Sequence, residues 1–149
     1  MTTIVVPVGG GGLISGIAIA AKAVSPSVRI VAVQPEASPA LRESVKVGHP
    51  LLEYPAERTI ADGLAGGIGE MVFANRRLID DMIVVTEEDL EAAVVALVRE
   101  DHVVAEGSGA VGLAALRSGR LAVDGPTAIV VTGGNIDGDV LADLMARHR

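Results

Sequence analysis

The chain has 149 residues, half of them apolar, with a net charge of −7, Tyr54 and Phe73 as its aromatics, and no cysteine. That length suits a single α/β domain over residues 1–149, large enough to bury roughly 70% of its unfolded surface. An acidic balance with scattered basic residues argues against nucleic acid, disulfides and thiolate metal sites are excluded, and no apolar run approaches the ~20 residues of a membrane span. With so few aromatics the core must be Val, Ile, Leu and Ala, which suits buried parallel strands under closely packed helices. The first residues lack the charged n-region of a signal peptide, so the cytoplasm is the expected location.

The β-branched run Thr3–Val8 reads as a buried strand, followed by Gly9, Gly10, Gly11 and Gly12 and then a helix over Leu13–Val24. One or two glycines would satisfy a plain strand-to-helix turn. Four in succession point to close backbone approach, with free N–H groups and a helix N-terminus converging on an anion. The expected ligand group is a phosphate. A P-loop is excluded, because no lysine and hydroxyl residue follow at the required spacing. A dinucleotide fingerprint is a near miss: Ser15 stands at the third glycine position. Gln34 stands where a ribose-binding acid belongs, with Glu36 two residues on.

Arg29–Gln34 is the second strand, and 38–47 a short helix with Ser38 as N-cap and Pro39 at its first position. The stretch 48–69, with Pro50, Pro55 and several glycines, is too long for a bland connector and reads as a functional loop. A helix over 69–81 and a strand over 82–85 follow. Thr86 is a predicted N-cap, with Glu87, Glu88 and Asp89 in the first turn and Leu90, Val94, Leu97 and Val98 at helical spacing. A further helix begins near Ser108, Thr127–Val131 is the last strand, and 138–147 the last helix, with Asn135 and Asp137 making its turn and N-cap bonds. This alternation implies a doubly wound, mainly parallel sheet with helices on both faces. Its ligands would lie outside the carboxyl ends of the strands, where both glycine-bearing turns fall.

Four segments in order carry a family resemblance: Pro7-Val8-Gly-Gly-Gly-Gly-Leu13, Thr59-Ile-Ala-Asp-Gly-Leu-Ala65, Val104-Ala-Glu-Gly-Ser-Gly-Ala110 and Val130-Val-Thr-Gly-Gly-Asn-Ile-Asp137. They resemble the pyridoxal-phosphate (PLP) enzymes of the tryptophan-synthase-β fold type, above all the serine/threonine dehydratases and their racemase relatives. Gly107 stands where that family usually has proline. The resemblance implies PLP as cofactor, an amino-acid substrate, and β-elimination to a 2-keto acid. It also implies that Gly9–Gly12 and Leu13 hold the phosphate and that the Thr132 hydroxyl meets the pyridine nitrogen. Glu106 lies near the cofactor or orients neighbouring loops, or else accepts hydrogen bonds at the N-terminus of the helix near Ser108. Asp62 is expected to anchor the irregular loop.

The resemblance covers the C-terminal half of such enzymes. Their lysine, which carries PLP as a Schiff base, lies upstream of the glycine loop. Lys22 and Lys46 are expected to be solvated and poor substitutes for it, so no catalytic residue is assigned and the chain alone is expected to be inactive. Association with a lysine-bearing half, or with itself, is expected. Family members often hold a divalent cation through an acid before the proline that follows the second strand and another acid nearby. Gln34 and Ala40 occupy those positions, leaving Glu36 a surface carboxylate. His49, His102 and His148 are not grouped at ligand spacing, so no metal is assigned. The competing readings are a non-catalytic anion-binding or self-associating module, and a dinucleotide-binding domain.

Overall fold

Residues 1–148 are described by a computed structural model. The β-branched runs Thr3–Pro7 and Arg29–Pro35 form β1 and β2, joined by α1 (Gly12–Val24). After α2 (Ala40–Val47), an irregular segment with one 3-10 turn, and α3 (Glu70–Ala74), β3 (Asp81–Val85) pairs with β2. Helices α4 (Glu87–Arg99) and α5 (Gly107–Arg117) lead to β4 (Thr127–Ile129), and α6 (Gly138–Arg147) follows. The four strands run parallel in the order β3-β2-β1-β4.

Side chains alternate across this sheet and divide the core in two. Val5, Val31, Val33 and Val85 face Leu90, Val94, Val111 and Leu144 of α4, α5 and α6. Val6, Val8, Ile30 and Ala32 face Ile14, Ala18, Leu41 and Val72 of α1, α2 and α3. These aliphatic side chains are fully or almost fully buried, each stabilising the fold by about 1.5–3 kcal/mol for the larger ones. Helices therefore cover both faces, as the β/α alternation implies.

The chain winds from β1 through β2 to β3 on one side and returns to the other side of β1 as β4. The order reverses between β1 and β4, so the crevice at their carboxyl ends is the switch point of the sheet. The register sets Val5 beside Ile129, and the Val130 N–H donates to the Val5 carbonyl at 2.9 Å. The turns that leave β1 and β4 must then emerge side by side.

Three local expectations are corrected. Ser38 does not cap α2: its Oγ accepts the Gly66 N–H at 3.0 Å and donates to the Gly66 carbonyl at 3.1 Å, tying down the irregular segment. Pro39 takes the N-cap position, and the buried Gln34 Oε1 accepts from Leu41 and Arg42 N–H instead. The helix expected over 69–81 ends at Ala74, because Asn75 turns its amide onto the Met71 carbonyl and a 3-10 turn at Arg76–Leu78 follows. Lys22 is not solvated. Its Nζ donates to the Val28 carbonyl at 2.9 Å and to Asp80 Oδ2 at 2.7 Å. Lys46 is exposed and pairs with Glu43 at 2.8 Å.

Candidate functional site

The glycine run turns off β1 in a left-handed conformation at Gly11 (φ 88°), the N-cap of α1, which has no side-chain cap. A side chain at Gly11 would also collide with Val72. A Cβ on Gly9 would stand 2.9 Å from the Gly63 carbonyl oxygen. Gly10 and Gly12 differ: nothing lies within 4 Å of a Cβ on either. Packing therefore explains Gly9 and Gly11, whereas Gly10 and Gly12 border open space that a side chain would fill. Among the described residues the N–H groups of Gly9 to Leu13 have no acceptor, while Gly10 uses its carbonyl to hold the Gly69 N–H at 2.9 Å. Free donors at the positive end of a 13-residue helix make an anion cradle. Leu13 is 45% exposed beside it.

Three other loops close on this one. Gly63 packs against the Ser108 hydroxyl, with a Cβ position 2.9 Å from Oγ. Gly107 lies so close under the Ile60 carbonyl that a side chain would collide. Gly109 similarly abuts the Thr132 carbonyl. Glu106 does not cap α5 with its side chain; its Oε2 accepts the Asn135 N–H at 3.1 Å, and its own N–H donates to the Gly133 carbonyl at 3.2 Å. Of the alternatives left open for Glu106, loop orientation is the one its hydrogen bonds serve. Thr132 is half-buried and its hydroxyl has no partner among the described residues.

Gly9–Leu13, Glu106 and Thr132 thus share one edge of the sheet. Lys22 sits at the other edge, since its partners Val28 and Asp80 immediately precede β2 and β3. The Asp62 carboxylate accepts the adjacent Gly63 N–H at 2.8 Å and its carbonyl accepts the Ala65 N–H at 3.1 Å, and Asp137 is the N-cap of α6. Glu36 is exposed, and its Oε1 accepts the Glu87 N–H at 3.2 Å.

Sequence reasoning missed Glu87 and Ser108 as builders of this edge. Glu87 accepts from the Thr59 hydroxyl at 2.7 Å and the Ile60 N–H at 2.6 Å, so the first residue of α4 fixes the 59–62 loop. The Ser108 hydroxyl is buried without a hydrogen-bond partner. Glu87 carries no local signal for this contact, because Thr59 and Ile60 lie far away in sequence. Ser108 lies inside the 104–110 segment, but its neighbour Gly63 is also distant. A cavity of about 620 Å³ lies to one side, where Arg58, Glu91, Glu106, Asn135, Asp143 and Arg147 line it. Neither the glycine run nor Thr132 borders that cavity.

Residues 1–133 match the family described as "Pyridoxal-phosphate dependent enzyme". The chain is 42% identical to an L-threonine ammonia-lyase of Thermotoga maritima over 137 residues, 90% of this chain and 34% of that protein. It is 40% identical to a serine racemase of Oryza sativa subsp. indica, over 98% of this chain and 45% of that one. The structure of maize serine racemase superposes with a TM-score of 0.86 at 37% identity, covering 100% of this chain and 49% of the other. A processed threonine deaminase (isoform 2) of Solanum lycopersicum superposes with a TM-score of 0.83 at 30% identity, covering 98% and 44%. The chain therefore spans a third to a half of these relatives' length. With the glycine run, the 59–65 loop and the 104–110 turn all inside the matched residues, the chain belongs to the pyridoxal-phosphate dependent enzyme family.

Proposed function

We propose that this chain forms one part of a PLP-dependent ammonia-lyase acting on serine or threonine and giving a 2-keto acid. It would supply the phosphate cradle and the contact to the pyridine nitrogen, with the catalytic lysine on a complementary half. The observation that carries this reading is the pairing of two loops at the β1/β4 switch point. One offers free amides at Gly9–Leu13, and the other offers the unengaged Thr132 hydroxyl. When bound, PLP supplies a ring that withdraws electrons from the substrate's α-carbon. The Gly9–Leu13 amides would hold its phosphate dianion, Glu106 keeps the 133–135 turn in register, and Thr132 offers a neutral hydroxyl to the ring nitrogen. A hydroxyl there leaves that nitrogen unprotonated, which suits elimination.

The position of Lys22 on the far edge and the pairing of Lys46 with Glu43 support inactivity of the chain alone. Val104, 54% exposed against the turn at Gly134, and Val131, 39% exposed just after the edge strand β4, support association with the complementary half or with a second copy. A cytoplasmic location belongs to the same reading; among the described residues no helix is long and apolar enough to cross a membrane. Racemisation is the second reading, favoured by the likeness to serine racemases.

Inorganic phosphate should bind the chain and perturb the Gly9–Leu13 amide resonances. Adding PLP to the chain alone should give no stoichiometric visible band and no keto acid from serine or threonine. Co-expression with a lysine-bearing half should restore both. A stoichiometric band abolished by Lys22→Ala would overturn the split assignment. D-serine without keto acid from the restored complex would favour the racemase reading.

A further inference from the structure

We propose that Gln34 makes this site's architecture independent of a divalent cation, because its amide performs the structural work of a carboxylate–cation pair. The inference concerns the loops of the proposed phosphate cradle and in that respect rests on that reading. Dehydratases and racemases that this chain resembles often hold a divalent cation through acids at the positions of Gln34 and Ala40, and the residues present here do not fit one. Gln34 is 3% exposed, and its hydrogen-bonding groups are all engaged. Oε1 accepts the Leu41 and Arg42 N–H groups at 3.1 and 3.2 Å. Nε2 donates to the Val8 carbonyl at 3.2 Å and, at the long limit of 3.5 Å, to the Ser38 carbonyl. Two N–H donors on one side and two carbonyl acceptors on the other leave the amide one orientation. The Ala40 side chain offers no ligand atom, its carbonyl is taken by the Ser44 hydroxyl at 2.6 Å, and Glu36, two residues from Gln34, is turned to the start of α4.

A carboxylate only accepts hydrogen bonds. At position 34 it could still receive the α2 N–H groups, which its charge would favour at a helix N-terminus. Its other oxygen would face the Val8 and Ser38 carbonyl oxygens in a buried space. Oxygens converging in that way need a hard cation between them, since burying an uncompensated charge costs several kcal/mol. The amide meets both demands with one neutral side chain. The consequence reaches the cradle: Val8 is the last residue before Gly9, and Leu41 and Arg42 open α2. Gln34 therefore fixes, without an ion, where the glycine run leaves β1 relative to α2.

Thermal unfolding of the full chain in chelator and in millimolar magnesium or calcium tests this. The wild type should melt at the same temperature in both, apart from any small rise that Gln34→Ala shows too, which measures unspecific binding to an acidic chain. Gln34→Glu should melt lower than wild type in chelator and regain most of that loss on adding the cation. Its affinity for inorganic phosphate in chelator should fall about tenfold, as for one broken buried hydrogen bond. A saturable rise in the wild-type melting temperature beyond that of Gln34→Ala would overturn the inference, as would a Gln34→Glu variant as stable as wild type in chelator. If neither variant folds, the wild-type cation titration alone decides: saturation at one site refutes cation independence, and no saturable response supports it. Phosphate titration of the wild type in chelator separates the two readings. No phosphate binding there counts against the cradle while the melting temperatures still decide the role of Gln34.

Discussion

Gly109, in the first turn of α5, lies directly against the carbonyl oxygen of Thr132, leaving no room for a Cβ between them. The contact sets how far the post-β4 turn stands above α5, and hence the height of the Thr132 hydroxyl over the crevice. Gly109→Ala must push the turn outward or strain the helix start, and overpacking of this kind costs about 1–3 kcal/mol. Urea unfolding should register that loss. Gly16→Ala, at an exposed position inside α1 with nothing within 4 Å, should stabilise by up to about 1 kcal/mol. A destabilised Gly16→Ala, or a neutral Gly109→Ala, would contradict these packing assignments.

At the opposite edge of the sheet, Asp80 binds Lys22 at 2.7 Å and the Ile30 N–H at 2.7 Å. Burial pushes the Asp80 carboxyl up, but the hydrogen bonds from Lys22 and Ile30 and the Lys22 and Arg29 charges outweigh it and hold it below its ordinary value of 3.8. A lowered carboxyl stabilises the fold above its unfolded pKa. That contribution is lost as pH falls from 3.8 through the lower folded value. Asp80→Asn should therefore flatten the acid limb of the stability–pH curve without abolishing it, since Asp89 and Glu91 are also held low. The Asp80 side chain is 38% exposed, so screening limits the loss in Lys22→Ala to about 1 kcal/mol. An acid limb in Asp80→Asn as steep as in wild type would refute the assignment.

These two cases mark what a sequence reader can and cannot see. Thr86 with Asp89 forms a capping box, and Asp137 caps α6, because a cap and its helix are written next to each other. The alternating Val and Ile of β1 and β2 likewise announce a sheet covered on both faces. The glycines were legible as signals, but their reasons were not. Gly109 answers to Thr132, Gly63 to Ser108 and Gly107 to Ile60, all contacts made by the finished fold. Lys22 reads as a solvated helix lysine until Asp80, 58 residues on, is brought beside it. Ser38 has the identity and place of an N-cap, yet tertiary packing gives its hydroxyl to Gly66.

Glu106 is where a positioning role and a cofactor contact part company. Its Oε2 accepts the Asn135 N–H, an interaction that an amide oxygen can also make. Glu106→Gln should keep the turn ordered, with Asn135 amide exchange close to wild type. Glu106→Ala should speed that exchange about fivefold or more, the loss of a hydrogen bond worth about 1 kcal/mol. Phosphate affinity should stay unchanged in both variants, since the cradle's donors lie on the β1–α1 turn and the start of α1. Slow exchange at Asn135 in Glu106→Ala would remove Glu106 from the role of loop holder.

The glycine run offers the sharpest test, because its members divide by what surrounds them. A methyl group at Gly10 or Gly12 meets no protein atom within 4 Å, so Gly10→Ala and Gly12→Ala should leave stability within about 0.5 kcal/mol, as for surface substitutions. The same methyl would occupy the space at the free amides and weaken inorganic phosphate binding about tenfold, equivalent to about 1.4 kcal/mol. Gly11→Ala forces a side chain into a left-handed backbone and onto Val72, so it should lose stability and binding together. Gly9→Ala, pressed against the Gly63 carbonyl, should behave likewise. Calorimetric titration with phosphate beside urea unfolding reads both quantities for each variant. If Gly10→Ala and Gly12→Ala bind phosphate as wild type does, the open space above those glycines is not where the anion sits, and the cradle assignment falls.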